Sequence, residues 1–204
     1  VTTDDLFFAR AGLERSRVEG IVDDALNGAD DGELFLEYRQ SESVVIDDGK
    51  IKSAAFDTAQ GFGLRAVADE ATGYAHASEL SEAALRRASD AVKAVHAGGT
   101  GAMAVDPSGT NVSLYADDNP LGLVPFEDKV DLLTEMDTYA RSRDERVKQV
   151  SASLSGEWQA VQILRAGGHR VADIRPLVRL SISVVVERDG RMETGSFGTG
   201  GRTV

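Results

Sequence analysis

Three histidines, His76, His96 and His169, are the side chains that could begin a transition-metal site, because the sequence contains no cysteine. Two imidazoles that hold one Zn²⁺ from a single helix need a separation of about four or five residues, which places them on successive turns. No pair of these histidines has that spacing, and none is followed directly by glutamate. The sequence therefore predicts no metal site within this chain.

Two pairs of adjacent carboxylates, Asp47-Asp48 and Asp117-Asp118, could in principle act as general acid and base in an enzyme for small molecules. Neighbouring side chains on a strand point to opposite faces, and neighbouring acids in a loop are usually solvated. A small-molecule enzyme that uses these carboxylate pairs is therefore the least favoured hypothesis for the function of this chain.

Glycines at two places resemble phosphate-binding loops. Gly61-x-Gly63-x-x-Ala66 matches a loose dinucleotide pattern, but such a loop must open a helix whose N-terminus faces the phosphate. The residues that follow predict a strand and a turn instead, so these glycines indicate close backbone packing in a sheet. The segment 195–201 lacks the Lys-Ser/Thr of a phosphate loop and is interpreted as a flexible exit towards a further domain.

Arg65, Tyr74, Arg175 and Arg179 are the candidate residues for contact with a substrate or a partner. A guanidinium can bind a carboxylate through two parallel hydrogen bonds, which would suit a peptide C-terminus or an acidic side chain of a partner. The alternative is that the arginines form internal salt bridges, in a chain with 34 acidic residues.

Composition narrows the functional class. The formal net charge of −12 disfavours direct binding to nucleic acid, and the 42% hydrophobic content is ordinary for a globular protein. No apolar run approaches the roughly 18 residues that cross a bilayer. The lack of cysteine is compatible with a reducing compartment, and we expect a cytoplasmic protein without a membrane contact.

The spacing of apolar residues along the chain predicts three helices with strands between and after them. Residues 14–28 carry a helical apolar stripe that Gly28 ends, Ser81 is a plausible N-cap of a second helix, and Pro125 opens a third. The predicted buried stripe of the second helix consists of Ala84, Ala88, Ala91, Val92 and Val95, and His96 lies at the end of this helix. The predicted buried stripe of the third helix consists of Phe126, Val130, Leu133, Met136 and Ala140.

Alternation with a period of two predicts the strands. They cover 34–39, 44–46, 51–54, 61–68, 72–78, 147–165 and 171–188, with an Asp48-Gly49 hairpin turn and a second turn at Gly167-Gly168. Together these elements predict an α+β fold in which two to three helices pack on one face of an antiparallel sheet. We expect one domain over 1–190, followed by a glycine-rich exit over 191–204.

Two blocks of the sequence resemble a known family. The first is 57–92, which includes Gly61-Phe62-Gly63-Leu64-Arg65; the second combines 150–156, 173–184 and 198–202. They are similar to the amino-terminal domain of the TldD/PmbA zinc metallopeptidases, once described as modulators of DNA gyrase. The second block is closer to the TldD branch. The family's helical His-Glu-x-x-x-His signature is absent from this chain.

The resemblance implies a non-catalytic amino-terminal part of a TldD-like metallopeptidase that hydrolyses unfolded or extended peptides. Zinc would then be bound by a carboxy-terminal domain outside this chain, while this part contributes to the substrate chamber and to subunit contacts. The expected partners are a peptide substrate and either a PmbA/TldE-like subunit or a second copy. The alternative is a freestanding interaction module that binds a PmbA-like partner without catalysis.

Overall fold

The computed structural model describes residues 2–94, 104–105 and 114–202, and within them six strands form one sheet. The strand order across the sheet is β3-β2-β1-β4-β5-β6, and the pairs at its two edges, β2–β3 and β5–β6, are antiparallel. The strands are β1 (Asp31–Asp47), β2 (Lys50–Ala68), β3 (Ala71–Ala77), β4 (Val147–Leu164), β5 (Arg170–Arg188) and β6 (Arg191–Gly201).

Three α-helices accompany the sheet: α1 (Arg15–Ala25), α2 (Glu82–Lys93) and α3 (Phe126–Arg143). Shorter helical turns occupy Asp5–Ala9, Pro120–Gly122 and Ala166–Gly168. The predicted α+β class, with an antiparallel sheet and two to three packed helices, is confirmed. None of the helices in the described ranges is long and apolar enough to cross a membrane.

The turns follow from residues that tolerate a positive φ. Asp48 and Gly49 have φ values of 49° and 71°, as a type I′ hairpin turn requires, and they join β1 to β2. Gly167 and Gly168, at 77° and 75°, join β4 to β5 as predicted. Gly28 has a φ of 86° and follows α1, which agrees with its predicted role as a helix stop.

The described chain divides into two compact units, whereas the sequence analysis predicted one domain over 1–190. Unit 1 comprises 1–39, 59–114 and 159–174 in the parts that the structure describes. Its α1 buries Val18, Ile21, Val22 and Ala25, and its α2 packs against both α1 and β3. Gly73 of β3 permits this packing, because a Cβ at Gly73 would lie 2.9 Å from the carbonyl oxygen of Val92.

Unit 2 comprises 40–58, 115–158 and 175–204 in its described parts. Its core consists of Val44, Ile46, Leu133 and Ala152, with Val130, Met136, Leu154 and Leu180 packed around them. Helix α3 therefore covers the apolar face of the strands in this unit through the periodic residues that the sequence indicated.

Some residues of α2 and α3 differ in burial from the apolar stripes that the sequence predicts. Ala91 of α2 is exposed, while Leu85 and Ser89 are buried, so the buried face is rotated relative to the prediction. Phe126 of α3 is 46% exposed. Val95 and His96 lie outside the described residues.

Residues 191–201 differ most from the interpretation of a flexible exit, because they form β6 and pair with β5 from Arg188↔Arg191 to Val178↔Gly201. Asp189 and Gly190, with φ values of 53° and 78°, form the turn between these strands. Whether the segment leads to a further domain stays a prediction.

Replacing Ser81 should reduce stability through the loss of the N-cap of α2. Its hydroxyl oxygen accepts a 3.2 Å hydrogen bond from the backbone N–H of Ala84. We expect Ser81→Ala to lower the free energy of unfolding by about 1 kcal/mol and Ser81→Asp to retain most of it, measured by urea denaturation. The exposed neighbour Ser78 provides the control: an equal loss in Ser78→Ala would contradict the capping role.

Candidate functional site

Arg65 of β2 lies in an ion-pair cluster of unit 1. Its Nε donates to Glu33 Oε1 over 2.8 Å, and its Nη2 donates to Glu33 Oε2 and Asp31 Oδ2 over 2.9 Å each. These hydrogen bonds, above all that to Glu33, raise the pKa of the Arg65 guanidinium above its ordinary value. Arg65 therefore forms the internal salt bridges that were the alternative to a contact with a substrate or partner. The side chain keeps 36% of its surface exposed, so a further contact with a peptide or partner stays a prediction.

Tyr74 of β3 lies directly opposite Arg65 in the register of the two strands. Its ring is 64% exposed and lies 5.6 Å, centroid to centroid, from the ring of His76. A Cβ at Gly63 would lie 2.7 Å from the Tyr74 hydroxyl oxygen. Gly63 therefore lets the tyrosine lie flat against β2, which confirms that these glycines serve close packing within a sheet rather than phosphate binding.

Arg175 and Arg179 belong to unit 2, whereas Arg65 and Tyr74 belong to unit 1. Both arginines are exposed on β5, and Arg179 Nε donates to Ser181 Oγ over 3.3 Å. Arg179 also lines a groove of about 330 Å³ together with Asp57 of β2. The structure thus brings Arg65 and Tyr74 together on neighbouring strands of unit 1, while Arg175 and Arg179 lie four residues apart on β5 of unit 2.

The residues that the structure describes do not form a site for a metal ion. Within 2–94, 104–105 and 114–202, no three His, Cys, Asp or Glu side chains are arranged to hold one. His76 lies on β3 beside Tyr74, and His169 is exposed in the β4–β5 connection. No hydrolytic step can be derived from a metal held by these residues.

The first carboxylate pair braces a hairpin instead of forming an acid–base pair. Asp47 accepts hydrogen bonds from Lys52 and Gln149, which hold the pKa of its carboxyl below the usual range. Asp48 accepts from the backbone N–H of Val150 and from Arg141 of α3. Each carboxylate therefore anchors the β1–β2 turn. Asp117 and Asp118 are exposed in a loop, as expected for solvated acids.

An apolar cavity of about 380 Å³ in unit 2 was missed by the sequence analysis. It lies among α3, the Pro120–Gly122 turn and strands β4 to β6. Its walls include Leu121, Val124, Leu132, Leu154, Val178 and Leu180. A cavity of this size with apolar walls is typical of sites that receive an apolar side chain or a small ligand.

A buried ion pair forms part of the cavity wall. Lys129 Nζ donates to Glu42 Oε1 and Oε2 over 3.0 and 2.8 Å, and to the carbonyl oxygen of Leu121 over 2.8 Å. All three ammonium hydrogens are thus used within the protein. The signal for this pair was present in the sequence: Lys129 lies four residues before Leu133, on the apolar side of α3.

Glycine at position 156 shapes the same cavity. A Cβ there would overlap with the Leu121 side chain, so Gly156 of β4 lets Leu121 lie directly on the sheet. Leu121 and the carbonyl that binds Lys129 therefore hold the Pro120–Gly122 turn in place at the cavity mouth.

The outer edge of β2 offers a second binding feature. Strand β3 pairs with β2 only from Phe62 to Ala68, so within the described chain no strand covers the outer edge of 50–58. Every residue of that segment is exposed. An uncovered edge has backbone N–H and C=O groups available for an added extended strand.

Two family models match segments of this chain. Residues 32–95 match the family model described as "PmbA/TldA metallopeptidase domain 1", and residues 119–203 match "PmbA/TldA metallopeptidase central domain". A relative from Haemophilus influenzae, named "Metalloprotease TldD homolog", is 44% identical over 177 residues, which are 85% of this chain and 36% of the relative. The chain therefore spans little more than a third of that protein.

Solved structures share the fold. A modulator of DNA gyrase from Bacteroides thetaiotaomicron superposes with a TM-score of 0.75 at 16% identity, over 93% of this chain and 45% of the other. TldE from Thermococcus kodakarensis gives a TM-score of 0.54 at 14% identity, over 91% of this chain and 43% of the other. Identities this low establish similarity of fold alone.

Proposed function

Because this chain belongs to the PmbA/TldD metallopeptidase family, we propose that it is the amino-terminal, non-catalytic part of a TldD-like peptidase. The full-length protein would hydrolyse unfolded or extended peptides in the cytoplasm. Its zinc would be bound by residues outside this chain and would supply a polarised water as nucleophile. This part would contribute a wall of the substrate chamber and subunit contacts.

The observation that carries the proposal is the order and extent of the family match. Two consecutive domains of the family are matched in this chain, and the Haemophilus relative extends over almost three times the matched length. The described residues offer arginines, an apolar cavity and an uncovered strand edge, which are suited to binding polypeptide, but no group suited to hold a metal. The residues of this chain therefore support a role in binding polypeptide.

Strand addition is the proposed mode of peptide binding. A peptide lying along the outer edge of residues 50–58 would form main-chain hydrogen bonds, which are independent of its sequence. Such a site selects extended chains, because a folded helix or hairpin has already used its backbone groups. We expect a peptide with N-methylated backbone amides to bind more weakly than its unmodified counterpart.

A subunit contact is the second proposed role. The fold similarity to TldE supports a PmbA/TldE-like subunit or a second copy as the partner, since related folds often associate. Arg175 and Arg179, exposed on β5, could bind acidic side chains of that partner.

A comparison of the full-length protein with the 204-residue chain tests the proposal. We expect about one zinc per full-length chain by native mass spectrometry, together with cleavage of an unstructured fluorogenic peptide. The 204-residue chain should contain no stoichiometric zinc and cleave nothing. Cleavage by the short chain alone would overturn its non-catalytic role. A zinc-free, inactive full-length protein would favour the interaction module, which calorimetric titration with a PmbA-like relative would then measure.

Substitution of Arg65 tests the predicted peptide contact. We expect Arg65→Ala in the full-length protein to lower kcat/KM for an extended peptide about tenfold, the usual effect of losing a charged hydrogen bond. Glu33→Gln is the matched control, because it weakens the ion pair but keeps the guanidinium. Equal losses of activity in both variants, accompanied by equal losses of thermal stability, would show that Arg65 is only structural.

A further inference from the structure

We propose that the apolar cavity of unit 2 and the acidic side of α3 next to it bind a separate polypeptide segment in which a Leu- or Phe-sized side chain is flanked by basic residues. This docking surface is defined by the cavity lining together with Asp128, Asp131, Leu132 and Glu135. It does not depend on peptide hydrolysis or on strand addition.

The cavity has the size and lining for one large apolar side chain. Its volume is about 380 Å³, and its walls include four leucines and two valines. Leu132 at its rim is 43% exposed, so part of the apolar wall remains in water in this chain. Covering such a surface with another apolar side chain is favourable, because it removes apolar area from water.

The apolar surface continues beyond this cavity. A second depression, of about 400 Å³, shares Leu121 and Val124 with the first and adds Phe56 and Phe126. These two phenylalanines are 59% and 46% exposed. Contiguous exposed apolar surface of this kind usually marks an interaction site rather than a solvated surface.

The acidic side chains beside the cavity favour a basic occupant. Asp128, Asp131 and Glu135 lie at i, i+3 and i+7 of α3, which places them on one side of the helix around Leu132. All three are exposed, and none forms an ion pair with another residue of the described ranges. Asp131 and Glu135 are also like charges at i and i+4, an arrangement that destabilises a helix. Lysine or arginine side chains of a partner would relieve this repulsion.

The positive charge of Lys129 in the cavity wall does not offset the negative charges of the acidic residues on α3. Lys129 is 7% exposed and donates all its hydrogens to Glu42 and to the Leu121 carbonyl. Because the Lys129–Glu42 pair is neutral, Asp128 leaves the cavity lining with a net negative charge. An acidic or phosphorylated segment would be repelled, whereas a basic one is attracted.

Fluorescence anisotropy with the full-length protein tests this proposal. The probe is a labelled twelve-residue peptide with a Leu-Phe pair between lysines; in one comparison peptide glutamates replace the lysines, and in another serines replace Leu-Phe. We expect binding of the lysine peptide alone, weakened about tenfold by Leu132→Ser. Asp128→Asn with Asp131→Asn should weaken it about fivefold, and 0.5 M salt should do so as well.

Matched variants separate this site from the net charge of the protein. Glu70→Gln with Asp90→Asn removes the same charge from exposed positions of unit 1 and should leave binding unchanged. Equal binding of the glutamate peptide, or unchanged binding by Leu132→Ser, would overturn the proposal. Failure of the unsubstituted full-length protein to bind the lysine peptide would overturn it too, because another part of the same polypeptide would then cover the surface.

Discussion

Lys129→Met is expected to lower the free energy of unfolding of this chain by about 3–5 kcal/mol. The side chains of Lys129 and Glu42 are 8% and 15% exposed, so removal of the ammonium leaves a largely buried carboxylate without its counter-charge. The Leu121 carbonyl also loses its 2.8 Å hydrogen bond from Lys129. Urea denaturation followed by the fluorescence of the single tryptophan, the buried Trp158 of unit 2, measures the effect.

The double variant Lys129→Met with Glu42→Leu is the control for this prediction. It removes both charges and fills the space with apolar atoms, so we expect it to recover most of the loss. A single variant that costs less than about 1 kcal/mol would place the pair among ordinary surface salt bridges and contradict the burial seen in the structure.

Gly32→Ala is expected to lower the free energy of unfolding by about 3 kcal/mol, although it adds only one methyl group. A Cβ at Gly32 of β1 would lie 2.5 Å from the carbonyl oxygen of Arg65 and 3.2 Å from the Ala66 Cα, both on β2. Backbone atoms of a paired strand cannot move aside without breaking the ladder. Thermal denaturation followed by far-ultraviolet circular dichroism measures the loss.

The same substitution at Gly20 is expected to have the opposite sign. Gly20 lies within α1, is exposed, and would have no atom within 4 Å of an added Cβ. Gly20→Ala should therefore raise the free energy of unfolding by about 0.5–1 kcal/mol, because alanine loses less backbone entropy in a helix. If both variants changed stability in the same direction, the close approach at Gly32 would not be the cause.

Local features of the sequence predicted the helices, most strands and several turns correctly, because their signals lie within a few residues. Asp48-Gly49 can adopt the two positive φ angles of a hairpin turn, and Ser81 can accept from the N–H three residues on. The same chemistry at Asp189-Gly190 would have predicted β6. The glycines of 195–201 instead favour a flexible exit, whereas the structure forms β6 there.

The candidate site was only partly predictable. Arg65 was identified from its place in a family block, but its partners Asp31 and Glu33 are more than thirty positions away in the sequence. Glu42 and Lys129 are 87 positions apart, and periodicity alone treats a charged helix residue as solvated. Strand order and register decide which distant side chains meet, and neither can be read from local propensity.

The sequence by itself determined the family, the α+β class and the absence of a His-Glu-x-x-x-His signature from this chain, since each depends on residue types at short spacing. Only the tertiary structure decided that Arg65 binds two carboxylates, that Lys129 is buried, and that an apolar cavity opens beside an acidic helix. The physical reason is that hydrogen-bond partners and burial depend on which distant strands become neighbours. Helix and turn formation depends instead on the backbone preferences of adjacent residues.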